Sequence, residues 1–169
     1  MSVQSVVTLI CAFVLFWSAN STATYRGQYV NQEYGFEVTI PPDYTGLGAA
    51  EGAPNHGFVI KLDGASSVVV DAMYDTIVDS SGRGFDQQMR QSNGPPKATL
   101  DGLKAWVTTK LIKGGNRTTY YKGIVARRSS NEGEAIIYTI SESADAQNRA
   151  STDRLYKHIV SSFRVIPIH

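Results

Sequence analysis

Tyr34-Gly35-Phe36-Glu37-Val38-Thr39-Ile40-Pro41-Pro42 is the stretch of this 169-residue chain that says most about its fold. Tyr34, Phe36, Val38 and Ile40 fall on one side of an extended backbone; Gly35, Glu37 and Thr39 fall on the other. That period-two alternation marks a half-buried strand over residues 34–40. The proline pair ends it, because neither residue has an amide proton for a ladder. The rest of the chain must then supply a layer that covers the aromatic face.

Downstream, residues 45–55 contain three Gly and a Pro and read as a loop. Residues 57–62 and 67–73 form a hairpin around Asp63-Gly64-Ala65, Asp-Gly being a strong turn signal. Residues 84–92 predict a helix, with Phe85 and Met89 on one face, stopped by Asn93-Gly94-Pro95-Pro96. A meander follows: residues 97–100, 103–112, 117–128 and 134–141 are strands separated by Gly- and Asn-containing turns. In the last of them Ala135 and Ile137 oppose Ile136, Tyr138 and Ile140, so both faces are apolar and both need cover. Residues 144–162 predict the final helix, with Ser143 as its N-cap and Asp145 at the positive end of its dipole. Leu155, Ile159, Val160 and Phe163 make its inner face, and residues 164–168 close the chain as an extended tail.

Toward the N-terminus the pattern changes. None of the first 25 residues is charged, so the net charge of +1 belongs to the remainder, and that balance argues against nucleic acid as a partner. Residues 6–17 (VVTLICAFVLFW) are predominantly apolar yet too short to cross a bilayer core of ~30 Å as a helix. They match the apolar segment of a secretory signal peptide, and Ser21-Thr22-Ala23 supplies the small residues a signal peptidase needs, with cleavage after Ala23. The expected organisation is a signal peptide over 1–23 and a single α+β domain over 24–169, secreted or periplasmic, touching a membrane only if the leader stays uncleaved. The one cysteine, Cys11, lies in the leader. The remaining domain therefore has neither a disulfide nor a thiol nucleophile. Asn116-Arg117-Thr118 is a glycosylation sequon on an expected turn.

Tyr34-Gly35-Phe36-Glu37-Val38-Thr39-Ile40-Pro41 resembles the first-strand pattern of the PsbP/Mog1-like superfamily, and Val160-Ser161-Ser162-Phe163-Arg164 resembles the end of that group's last helix. The order of hairpin, short helix, meander and final helix is similar as well. One departure is that the family often has a Trp soon after the proline, where this chain has Pro42-Asp43-Tyr44. The resemblance implies an α/β/α sandwich in which helices cover a central antiparallel sheet. It also implies a binding or assembly factor rather than an enzyme, without naming a partner.

No catalytic constellation emerges from the residues. His56, His158 and His169 share no metal-ligand spacing. Asp71, Asp75 and Asp79 recur every four residues, but their segment begins as a strand, and Asp79-Ser80-Ser81-Gly82 departs from a calcium loop. There is no Gly-x-Ser-x-Gly elbow, P-loop or dinucleotide fingerprint. No metal and no cofactor is expected. Trp106, Tyr120, Tyr121 and Tyr138 lie in the meander, and consecutive Tyr120 and Tyr121 must point to opposite sides of the sheet. Because Tyr, Trp and Arg dominate interface hot spots, His56, Tyr44, Trp106 and Tyr121 are the candidate binding residues. The competing reading for Trp106 and Tyr138 is packing beneath the helices, and Arg127-Arg128 reads as a solvated pair. The functional expectation is a non-catalytic extracytoplasmic binding module for a protein or small ligand. An inhibitor or immunity-type protein that plugs a cleft with residues 45–55 is one version. The alternative is a hydrolase using His56 with a nearby carboxylate such as Asp43 or Glu51.

Overall fold

Two antiparallel sheets and two helices are built from residues 27–44, 47–49, 56–76, 84–114, 117–129 and 135–168, the parts of the chain that the computed structural model describes. The expected leader, Glu51, Asp79, Asn116 and His169 lie outside the described residues.

The smaller sheet has β2 (Phe36–Ile40) at its centre, flanked by β1 (Gly27–Asn31) and β10 (Arg164–Val165). The expected strand over 34–40 begins two residues late. Tyr34 and Gly35 form a turn in which the Asn31 side chain accepts the Tyr34 amide at 3.0 Å. The face read from the alternation is nevertheless buried throughout: Tyr34, Phe36, Val38 and Ile40. The expected C-terminal tail is strand β10, which pairs Arg164 with Glu37 and Val165 with Phe36.

The larger sheet has seven strands: β3 (Gly48–Ala49), β4 (Gly57–Lys61), β5 (Ser67–Tyr74), β6 (Ala98–Leu100), β7 (Leu103–Gly114), β8 (Arg117–Ser129) and β9 (Ala135–Ala144). Their spatial order is β3-β4-β5-β9-β8-β7-β6, every pair antiparallel. Both hairpin and meander are where the turn residues put them.

Helix α2 (Arg149–Ser162) and the small sheet share one face of the large sheet. Leu155, Ile159 and Phe163 meet Phe58, Ile60, Val68, Val70, Tyr138 and Ile140 there in one apolar cluster. Helix α1 (Phe85–Asn93) sits on the opposite face, where Phe85, Trp106 and Ile137 form a second cluster with Met89 and Val125. Helices thus cover both faces of a large antiparallel sheet, as the α/β/α expectation required.

The final helix starts five residues later than its periodicity suggests. Ser143 is no N-cap: it pairs with Ser67 on one side and Tyr121 on the other, inside β9. The strand persists because Ala144 is fully buried against Tyr120, so tertiary pairing overrides local helix propensity. Asp145 then turns the chain by accepting the Asn148 amide at 2.9 Å. Arg127 and Arg128 are not a solvated pair either. Arg127 engages Asp75, and Arg128 donates to the Ile166 carbonyl at 2.9 Å, tying β8 to the C-terminus.

Candidate functional site

β-Strands send alternate side chains to opposite faces. In β5 Val68, Val70 and Ala72 enter the core, which leaves Ser67, Val69 and Asp71 on the α1 side of the sheet. In β9 Tyr138 and Ile140 point inward, so Thr139 and Ser141 share that outer face. Helix α1 covers its Trp106–Ile137 end. Over β4, β5 and β9 the face holds a groove of about 440 Å³ instead, lined by Val59, Lys61, Ser67, Val69, Asp71, Thr139 and Ser141.

The groove grades from one charge to the other. Lys61 pairs with Ser67, and Asp71 lies four residues further along β5, roughly 13 Å at strand spacing. Val59 and Val69 form the apolar floor between them, and the hydroxyls of Ser67, Thr139 and Ser141 line it with donors and acceptors. At the acidic end His56 Nδ1 stands 3.9 Å from Asp71 Oδ1, outside hydrogen-bond range, and its ring meets Tyr34 edge-on. Burial raises the Asp71 carboxyl above its ordinary range, and the neighbouring His56 partly offsets this.

The four candidate residues are not brought together. His56 stands beside Asp71 at the acidic end of the groove but does not line it. Tyr121 borders it from β8: its phenol leans over Gly123, where a Cβ would lie 3.1 Å from the hydroxyl and 3.6 Å from the Ser141 Cβ. Trp106 is buried beneath α1 and donates its indole N–H to the Gly94 carbonyl at 2.9 Å, which makes it a fastening of that helix. Tyr44 follows a turn closed by its own amide on the Pro41 carbonyl at 3.0 Å and packs against the main core. His158 is exposed on α2.

The carboxylate beside His56 is Asp71, neither Asp43, which is exposed, nor Glu51, which falls outside the described residues. Sequence reasoning also passed over Lys61, Ser67, Thr139 and Ser141. For the last three the signal is the alternation of small polar residues with buried Val, Tyr and Ile in β5 and β9, which the two-sided apolar reading of β9 obscured. Among the described residues no group of three His, Cys, Asp or Glu is placed to hold a metal ion, and no helix is long and apolar enough to cross a membrane.

No protein-family model matches the chain, and no curated protein matches it in sequence. Solved structures do. LpqN of Mycobacterium tuberculosis, involved in cell envelope biogenesis, is similar at a TM-score of 0.58 and 14% identity, over 78% of this chain and 83% of that one. Cyanobacterial PsbP (CyanoP) of Synechocystis sp. PCC 6803 is matched at 0.41 and 14% identity, over 88% and 95%. The Saccharomyces cerevisiae Ran-binding protein Mog1p is matched at 0.43 and 12%, over 85% and 97%. PsbP and Mog1 structures, the group that the first strand and last helix resemble, thus stand among the structural neighbours. The likeness to LpqN carries the fold, and at such identities it speaks for the fold alone.

Proposed function

We propose that the protein is a non-catalytic binding module that works outside the cytoplasm and holds its ligand in the groove over β4, β5 and β9. The groove itself carries this reading: about 440 Å³, with an apolar floor, a rim of hydroxyls and opposite charges at its two ends, within the size range of small-ligand sites. The extracytoplasmic placement rests on the uncharged apolar segment at residues 6–17 and the small residues before Thr24. It is also in keeping with the cell-envelope role named for LpqN. The leader ends at Ala23 in this proposal, and residues 24–169 are the working domain.

Screening a library of short peptides and small polar compounds by amide chemical-shift perturbation tests the groove. Ser141→Trp fills it from a half-buried position on the outer face, away from the core. Binders should shift the amides of Val69, Thr139 and Ser141 in the parent chain and lose that effect in the variant. Binders that shift other regions, or that persist unchanged in Ser141→Trp, would remove the groove from the proposal.

The hydrolase reading keeps one observation in its favour, the approach of His56 to Asp71. A general base must come within hydrogen-bond reach of the proton it takes. Ester or amide turnover that is lost in His56→Ala would put that reading in place of the binding one.

A further inference from the structure

Among the described residues, β7 is paired on its outer side only at its start. β6 has three residues, and they pair with Leu103–Ala105 at the start of β7. β7 continues for nine more residues, all paired inward with β8. Among the described residues no strand flanks the outer side of 107–114; Thr108 alone reaches sideways, its hydroxyl 3.2 Å from Asn93 Oδ1 at the end of α1.

Side chains along this edge are those of an interface. Val107 and Leu111 are 42% and 66% exposed on one face, and Ile112 is 52% exposed on the other. A partner lying on either face would cover only one of these sets. A strand added beside β7 covers both, because its own side chains alternate above and below the sheet.

The charge around the edge selects the partner. Between Gly102 and Arg128 the chain has no Asp or Glu and seven cations, although its net charge is only +1. Three of them are engaged: Lys122 with Asp153, Arg127 with Asp75 and Arg128 with the Ile166 carbonyl. Lys104, Lys110, Lys113 and Arg117 form no ion pair among the described residues. Lysines on an edge strand ordinarily discourage pairing with like strands. A second copy docked edge to edge would set one all-cationic segment against another.

We propose that the outer edge of β7 receives an extended segment of a protein partner, alternating acidic and apolar residues, as an additional strand, its carboxylates on the face of Lys110 and its apolar residues on the face of Val107 and Leu111. This surface is separate from the groove and stands independently of it.

Three blocked ten-residue peptides test the proposal by fluorescence anisotropy and amide hydrogen exchange: (Glu-Val)5, (Lys-Val)5 and (Glu-Pro)5. The (Glu-Val)5 peptide should bind, protect amides within 107–114, and bind at least tenfold more weakly to Lys110→Glu/Lys113→Glu. Both positions are exposed, and Trp106 fluorescence reports whether the variant keeps its fold. Equal binding of (Glu-Pro)5, which has the charge but favours a polyproline backbone over a strand, would overturn the proposal in favour of undirected electrostatics. So would equal binding of (Lys-Val)5, a lack of binding by (Glu-Val)5, or protection confined to other strands. Peptide-free dimerisation that protects 107–114 would assign the edge to a second copy, and preferential capture of the chain by anionic vesicles through the same residues would assign it to a membrane. Either result overturns the proposal.

Discussion

Glu142 and Lys122 sit directly opposite each other on β9 and β8, yet the lysine turns away to Asp153, 3.0 Å from its ammonium. Both carboxyl oxygens of Glu142 are left buried without a hydrogen bond. The surroundings are mixed in charge: β8 contributes Lys122, and α2 contributes Asp153, Lys157 and Tyr156. Burial, reinforced by the negative charge of Asp153, pushes the Glu142 carboxyl up from 4.5 to about 7, and Lys122 only partly opposes this. Lys157, held to Asp153 at 2.6 Å, in turn draws the Asp153 carboxyl below its ordinary range.

Stability should therefore fall as pH rises from about 4.5 through 7. In that window the folded chain retains a proton on Glu142 that the unfolded chain releases, so acid favours the fold. Asp153 acts in the opposite sense and in another window: its contribution is present above the ordinary carboxylate value of 3.8 and is lost below it. Melting temperatures at pH 5 and pH 8 should differ in favour of pH 5. Glu142→Gln, which cannot ionise, should flatten that difference mainly by raising the value at pH 8. A melting temperature that climbs between pH 5 and 8 in the parent chain would contradict this account of Glu142.

Gly57 is irreplaceable for a reason of close approach. Its φ is +158°, and a Cβ built there would stand 2.0 Å from the Val70 carbonyl oxygen, which is backbone and cannot swing aside. Gly57→Ala must force β4 from β5 and should cost more than about 2 kcal/mol in denaturant unfolding, as overpacking does. Gly114→Ala, where a Cβ meets nothing within 4 Å, should leave the midpoint almost unchanged. Equal effects at the two sites would mean that β4 and β5 are not paired in this register.

Phe163 joins three elements at the end of α2. Its ring stacks on Phe36 at 5.5 Å and meets Tyr138 edge-on at 5.3 Å, and it is 1% exposed. Phe163→Ala should lose about 3–5 kcal/mol, a large share of the ~5–15 kcal/mol available to a domain. Leu111→Ala, at the exposed edge, should change stability by less than about 0.5 kcal/mol. Should Phe163→Ala unfold at the parent's denaturant concentration, α2 would not be sealing this core.

Much of the fold was legible from patterns that depend on near neighbours. The alternation from Tyr34 to Ile40, the Asp63-Gly64 turn and the stop at Asn93-Gly94-Pro95-Pro96 all act through local sterics and hydrogen bonding, so they read the same in isolation as in the folded chain. Strand β1 was missed because Gly27–Asn31 has little pattern of its own and is held by its partner β2. The start of α2 was misplaced because Ala144 obeys the ladder on either side of it rather than its own propensity. Of the groove, His56 and Tyr121 were singled out at its margins, while its lining went unread. No local signal states that Lys61, Val69 and Ser141, from three different strands, share one patch of surface.

By itself the sequence determined the alternating core, the turns, the cationic run from Lys104 to Arg128 and the lack of a cysteine beyond Cys11, since each depends only on which residues are present and how they are spaced. The tertiary structure alone decided which residues of the large sheet line the groove, that Trp106 fastens α1, that Lys122 engages Asp153 and not Glu142, and that β6 stops short, so that among the described residues no strand flanks the rest of β7. Those outcomes follow from strand order and register, which bring together residues tens of positions apart, and a burial or a charge at such distances takes its meaning only once the sheet has formed.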